Sequence, residues 1–127
     1  MEEVEQLCSL LRDEARLLGE VAGLLCEERN AVGRFRTSAI LACLEERQVL
    51  QDALAQVADR RRELVRDIMR ARGAESERTN ELLPLLPPAP QARLKSGLDT
   101  LRRALLRARG LERQTAAPRG ALGPCWF

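Results

Sequence analysis

The chain has 127 residues and a net charge of +2, one domain's worth of material rich in Leu, Ala, Arg and Glu, the composition of long helices and coiled coils. Aromatic residues make up 2% of it and His and Tyr are absent, which argues against a rounded core with a deep ligand pocket and removes the commonest general base near neutral pH. Charge is polarised: residues 1–32 carry eight acids and three bases (−5), residues 33–92 nine acids and ten bases (+1), and residues 93–127 two acids and eight bases (+6). The two ends are therefore complementary, which favours the last segment folding back or meeting an acidic partner.

Met1-Glu2-Glu3 is unlike a secretory signal, and no apolar run approaches the length needed to span a membrane. A cytoplasmic location without membrane insertion is expected. From Val4 to Phe35, steps of four and three connect Leu7, Leu11, Glu14, Leu18, Val21, Leu25, Glu28, Val32 and Phe35, with Leu10, Leu17 and Leu24 as a flanking row. This is a heptad-like helical seam with two acidic interruptions, on a rod of roughly 45 Å.

Gly33 and the run Arg34 to Ser38 break the pattern, and Thr37 or Ser38 is placed to cap a new helix. A second seam follows through Cys43, Arg47, Leu50, Leu54, Val57, Arg61, Leu64, Ile68 and Ala71, flanked by Ile40, Leu44 and Val65 and ending at Gly73. Two helices of matched length around a short break predict an antiparallel hairpin over residues 1–73. A turn near Arg36 makes partner residue numbers total about 72–75, which sets Glu14 against Arg61 and Glu28 against Arg47. These four charges are expected to pair across the hairpin and act on register; solvated edge charges are the alternative. The rival architecture is one uninterrupted helix through Gly33 that dimerises, since a mid-helix Gly costs only about 1 kcal/mol.

Residues 74–90 read as a polar stretch followed by a Pro-rich linker. Four prolines between Leu82 and Pro90 argue for extended or polyproline structure, with the intervening leucines packed on the side of the hairpin. A basic amphipathic helix is predicted over 91–114, its seam Leu94, Leu98, Leu101, Leu105 and Ala108, with Leu106 and Leu111 beside it. Lys95, Arg102, Arg103, Arg107, Arg109 and Arg113 occupy its other side, while Gly97 and Gly110 weaken it. Residues 115–127, which include Cys125-Trp126-Phe127, lack periodicity and are expected to be disordered. The fold class is thus all-α, a coiled-coil-like hairpin plus a C-terminal third helix.

Little in the chain points to chemistry. Cys8, Cys26, Cys43 and Cys125 form no CxxC pair and have no His to complete a zinc set, so neither metal nor cofactor is expected. The adjacent acids Glu27-Glu28 and Glu45-Glu46 diverge by about 100° on a helix, and no phosphate loop is present. No enzyme and no small-molecule substrate are expected. Arg60-Arg61-Arg62 invites a nucleic-acid reading, but Asp59, Glu63 and Asp67 interleave it and no aromatic platform accompanies it.

Over residues 7–70 the chain resembles the flagellar export chaperones of the FlgN type. The resemblance is carried by Leu10-Leu11 with Glu14, by Leu24-Leu25-Cys26-Glu27-Glu28-Arg29 with Ala31, by Leu44-Glu45-Glu46-Arg47-Gln48-Val49-Leu50, and by Arg60-Arg61-Arg62-Glu63-Leu64-Val65. It implies a cytosolic chaperone that binds amphipathic helices of hook–filament junction proteins before type III export, with export-apparatus components as further partners. Beyond about residue 72 the chain departs from that pattern, carrying Arg109-Gly110-Leu111-Glu112-Arg113-Gln114 where the family is often Asn-rich. Leu94, Leu98, Leu101, Leu105 and Arg102 are therefore partner-binding candidates from helical spacing alone, with packing on the hairpin as their alternative role. The free chain is expected to be a monomer or weak homo-oligomer. A self-associating structural coiled coil or scaffold module is the alternative function.

Overall fold

The structure, a computed structural model, describes residues 2–114; the expected disorder of the tail at 115–127 lies outside the described residues. Three long helices carry the chain: α1 (Glu2–Gly33), α2 (Thr37–Ala71) and α4 (Pro88–Gln114). A one-turn α3 (Thr79–Leu82) and a 3-10 turn at Leu83–Leu85 connect the last two. The described residues contain no strand. α1 and α2 form the antiparallel hairpin, and α4 follows the linker, so the uninterrupted helix is excluded.

α1 is the central element. It packs against both α2 and α4, whose backbones scarcely approach one another. Serving two neighbours requires a broad apolar arc rather than a narrow coiled-coil stripe. The buried set on α1 is accordingly Val4, Leu7, Leu11, Leu17, Leu18, Val21, Ala22, Leu24, Leu25 and Ala31, with Glu14 and Glu28 among them. Glu2, Glu3 and Glu5 in its first turn complement the positive end of the helix dipole.

The hairpin turns two residues later than Gly33. Phe35 N–H bonds to Val32 O at 3.1 Å and Arg36 N–H to Ala31 O at 2.9 Å, the bond pair of a Schellman cap, with Phe35 at φ 55° in the left-handed position that glycine favours. This corrects the predicted seam at its end: Phe35 and Val32 are exposed, and Ala31 takes the inward place. Thr37 is the first residue of α2, whose N-cap is Arg36, and no side chain caps it, contrary to the expected role of Thr37 or Ser38.

α2 buries Cys43, Arg47, Leu54, Ala58, Arg61, Val65, Ile68 and Met69, while Leu50, Val57 and Leu64 are half-buried. Leu44 and Ala71 lie on its exposed side, off the predicted seam. The helix closes as expected at Gly73 (φ 74°), with Gly73 N–H on Arg70 O at 3.0 Å and Ala74 N–H on Met69 O at 3.0 Å.

The linker departs most from expectation. In place of extended chain it holds α3 and the 3-10 turn, and α4 begins at Pro88 rather than Gln91. Pro88 and Pro90 fall in the first turn of α4, where the N–H groups they lack would have had no intrahelical partner. Gln91 N–H makes the first helical bond, to Pro87 O at 2.9 Å, and its side chain bonds Leu83 O at 2.7 Å. Of the linker leucines, Leu82 and Leu86 are buried, Leu83 is half-buried and Leu85 is exposed.

Candidate partner-binding site

The leucine row of α4 is inside the molecule. Leu94, Leu98, Leu101 and Leu105 are at most 3% exposed, and Ala108 continues the row. They meet α1, along which α4 runs parallel: Arg93 lies 3.4 Å from Glu5, and Gly97 sits beside Leu11. A Cβ on Gly97 would stand 3.1 Å from Leu11 Cδ1, so the glycine that weakens the helix also lets it approach closely. Arg102 is separate from this row, exposed and 3.8 Å from Asp99. Leu106, expected beside the seam, faces outward. The packing role of the leucine row is therefore the one seen, and a partner reaches these side chains only where α4 leaves α1.

The four charges assigned to register stand as two cross-hairpin pairs, each with residue numbers totalling 75. Arg47 Nη1 donates to Glu28 Oε2 at 2.8 Å, with both side chains nearly buried. Arg61 donates from Nε to Glu14 Oε1 and from Nη2 to Glu14 Oε2 at 3.4 Å, a fork in which neither residue has any exposed surface. The third donor of Arg61, Nη1, bonds Thr79 Oγ1 at 3.0 Å. Thr79 was not singled out by the sequence; it lies in a polar stretch whose only inward signal is the leucine that follows one turn later. Through it the linker is fastened to the hairpin at a buried cation.

Burial pushes the Glu14 carboxyl above the ordinary carboxylate range, and the charge and hydrogen bonds of Arg61 withdraw only part of that rise. Near the other end of α4, burial also raises Glu112, offset in part by Arg47 and then Arg109. Glu112 thus lies within the field of Arg47, which places the end of α4 near that level of the hairpin.

Other features carry little chemistry. Arg60-Arg61-Arg62 is no continuous cationic strip, since Arg61 is buried and Arg62 bonds Asp59 at 2.6 Å. Burial raises the thiols of Cys8 and Cys43, which lowers their nucleophilic fraction. Among the described residues no group of three His, Cys, Asp or Glu side chains is placed to hold a metal ion. An open groove of about 620 Å³ lies between α1 and α4, with Glu5, Arg12 and Arg93 on its walls. No described helix is long and apolar enough to cross a membrane. Compared with models of known families, with curated proteins and with solved structures, the chain finds no match.

Proposed function

We propose that this chain is a cytoplasmic chaperone of the flagellar export class, holding an amphipathic helix of a hook–filament junction protein. The observation that supports this reading best is the docking of α4. An amphipathic helix lies in a groove built by α1, it is scarcely approached by the backbone of α2, and it is joined to the rest by one linker. Such a groove reads a partner helix through apolar anchors at i, i+4, i+7 and i+11, the spacing of Leu94, Leu98, Leu101 and Leu105. When α4 swings away, this row and the groove are both available to a client helix. The resemblance of residues 7–70 to export chaperones supplies the class of client.

The test is to lock α4 in place. The Cβ atoms of Leu11 and of a residue at 97 would be 3.6 Å apart, within the disulfide range. A Leu11→Cys/Gly97→Cys variant, with the native cysteines replaced by Ser, is co-expressed with a junction protein and run on size-exclusion chromatography. Complex formation in the reduced chain and its loss in the oxidised chain are expected. Equal binding in both states would remove α4 and its groove from the client site. A discrete homo-oligomer that ignores the client would favour the scaffold reading.

A further inference from the structure

The linker is fastened to two different parts of the molecule. Its first half is tied to α2. Ala74 N–H bonds Met69 O at 3.0 Å, Glu77 lies 3.9 Å from Arg66, and the buried Thr79 accepts from Arg61 at 3.0 Å. Leu82 closes that half with no exposed surface, and α3, to which it belongs, packs on α2. The second half is tied to α4. Gln91 donates its side chain to Leu83 O at 2.7 Å and its N–H to Pro87 O at 2.9 Å. The 3-10 turn packs on α4. Pro84, Pro87, Pro88 and Pro90 fix φ along this half and into α4, which makes the two a stiff unit.

The two sets of fastenings meet at Leu83. Its backbone is in the αR region, with φ −49° and ψ −51°, while a residue before proline favours ψ of about +120 to +160°. Rotation about this single ψ carries the Leu83 carbonyl and the chain after it, and both Gln91 bonds travel unbroken. Thr79, Leu82 and their contacts on α2 stay where they are. Resting on the proposed reading, in which α4 makes way for a client helix, we infer that Leu83 is the hinge on which α4 leaves α1. The Arg61–Thr79 bond remains closed throughout, so α3 belongs to the fixed hairpin and the moving arm starts at the 3-10 turn. Displacement grows with distance from a hinge. The groove is therefore uncovered from the Leu105 end toward Leu94.

Native-state hydrogen exchange of the full chain in low urea reads both the opening and its hinge. Once off α1, α4 loses the packing that keeps its helix formed, and its amides exchange. Amides of residues 94–108 should exchange through an opening smaller than the global unfolding that releases those of α1. Leu98→Ala should raise that opening by about tenfold or more. Thr79→Val should leave it within about twofold of the parent chain, although global stability falls, because the bond is present in both the closed and the open state. Thr79→Ser, which keeps the acceptor, should restore the global stability. If α3 instead leaves with α4, each opening breaks the Arg61–Thr79 bond, and Thr79→Val raises the opening by about fivefold or more. That result overturns the hinge at Leu83 and leaves the client reading standing. Exchange of residues 94–108 only together with α1, in global unfolding, overturns both.

Discussion

Arg61 of α2 and Glu14 of α1 form a two-bond ion pair from which water is wholly excluded. An ion pair in that setting has lost the hydration of both charges, so its net contribution to stability is small, while breaking it leaves one charge stranded. Removing either partner alone, as Glu14→Leu or Arg61→Met, is expected to cost about 3–5 kcal/mol. The joint change Glu14→Leu/Arg61→Met should recover most of that loss, as read by urea denaturation of the four proteins. Additive losses would contradict the coupling. Thr79→Val, which leaves Arg61 Nη1 without this acceptor, should cost about 1–3 kcal/mol.

Phe35 occupies the cap position where a side chain is strained and glycine is not. Replacing it by Gly removes a left-handed conformation that costs about 1–2 kcal/mol for other residues, and little packing is lost because the ring is exposed. A rise in stability of about 1 kcal/mol is expected by thermal or urea unfolding. A fall would show that the ring packs on the turn in solution.

Glycines within the helices should respond oppositely to alanine. A Cβ at Gly19 or Gly23 of α1 meets nothing within 4 Å, so Gly→Ala there should stabilise by about 0.5–1 kcal/mol through helix propensity. At Gly97 the same Cβ presses on Leu11, and the gain should be cancelled or reversed. Gly97→Val should go further and loosen α4, visible as faster amide exchange along residues 94–108. Equal effects at all three positions would contradict the close approach of α4 to α1.

Glu112 and Glu14 give the stability a pH dependence whose sign follows from burial. Both carboxyls are raised above their ordinary 4.5, so the folded chain holds these protons more tightly than the unfolded chain. Their contribution is fullest below 4.5 and is lost as pH rises through the raised folded values. Glu112→Gln removes one such group. Relative to the parent chain, the variant should therefore gain stability between pH 4.5 and pH 7 when melting midpoints are compared. A difference constant with pH would refute the assignment.

Much of the hairpin was legible before any coordinates. The spacing of Leu7, Leu11, Leu18 and Leu25, interrupted by Glu14 and Glu28, found its match in a second seam interrupted by Arg47 and Arg61. One assumption about the turn then set all four charges in register. The same pattern misplaced Val32, Phe35 and Leu44, because a seam carried through a helix end assumes helical phase where the chain has left it and widens the buried arc beyond what one neighbour covers. Phe35 falls in the turn beyond α1, Ala31 rather than Val32 holds the inward place, and Leu44 lies on the exposed side of α2.

By itself the sequence determined the helix-forming segments, their antiparallel order and the charge pairing that sets their register, since these follow from local period, a short break and complementary interruptions. Only the tertiary structure decided that α4 lies parallel to α1, that prolines begin it rather than exclude it, and that Thr79 completes the shell of Arg61. Those outcomes depend on which surfaces compete for burial across distant parts of the chain, and no local pattern encodes that competition. It also decided where the leucine row of α4 spends its apolar surface. Predicted as a partner's seat, the row is filled by α1, and any client must contend with that packing first.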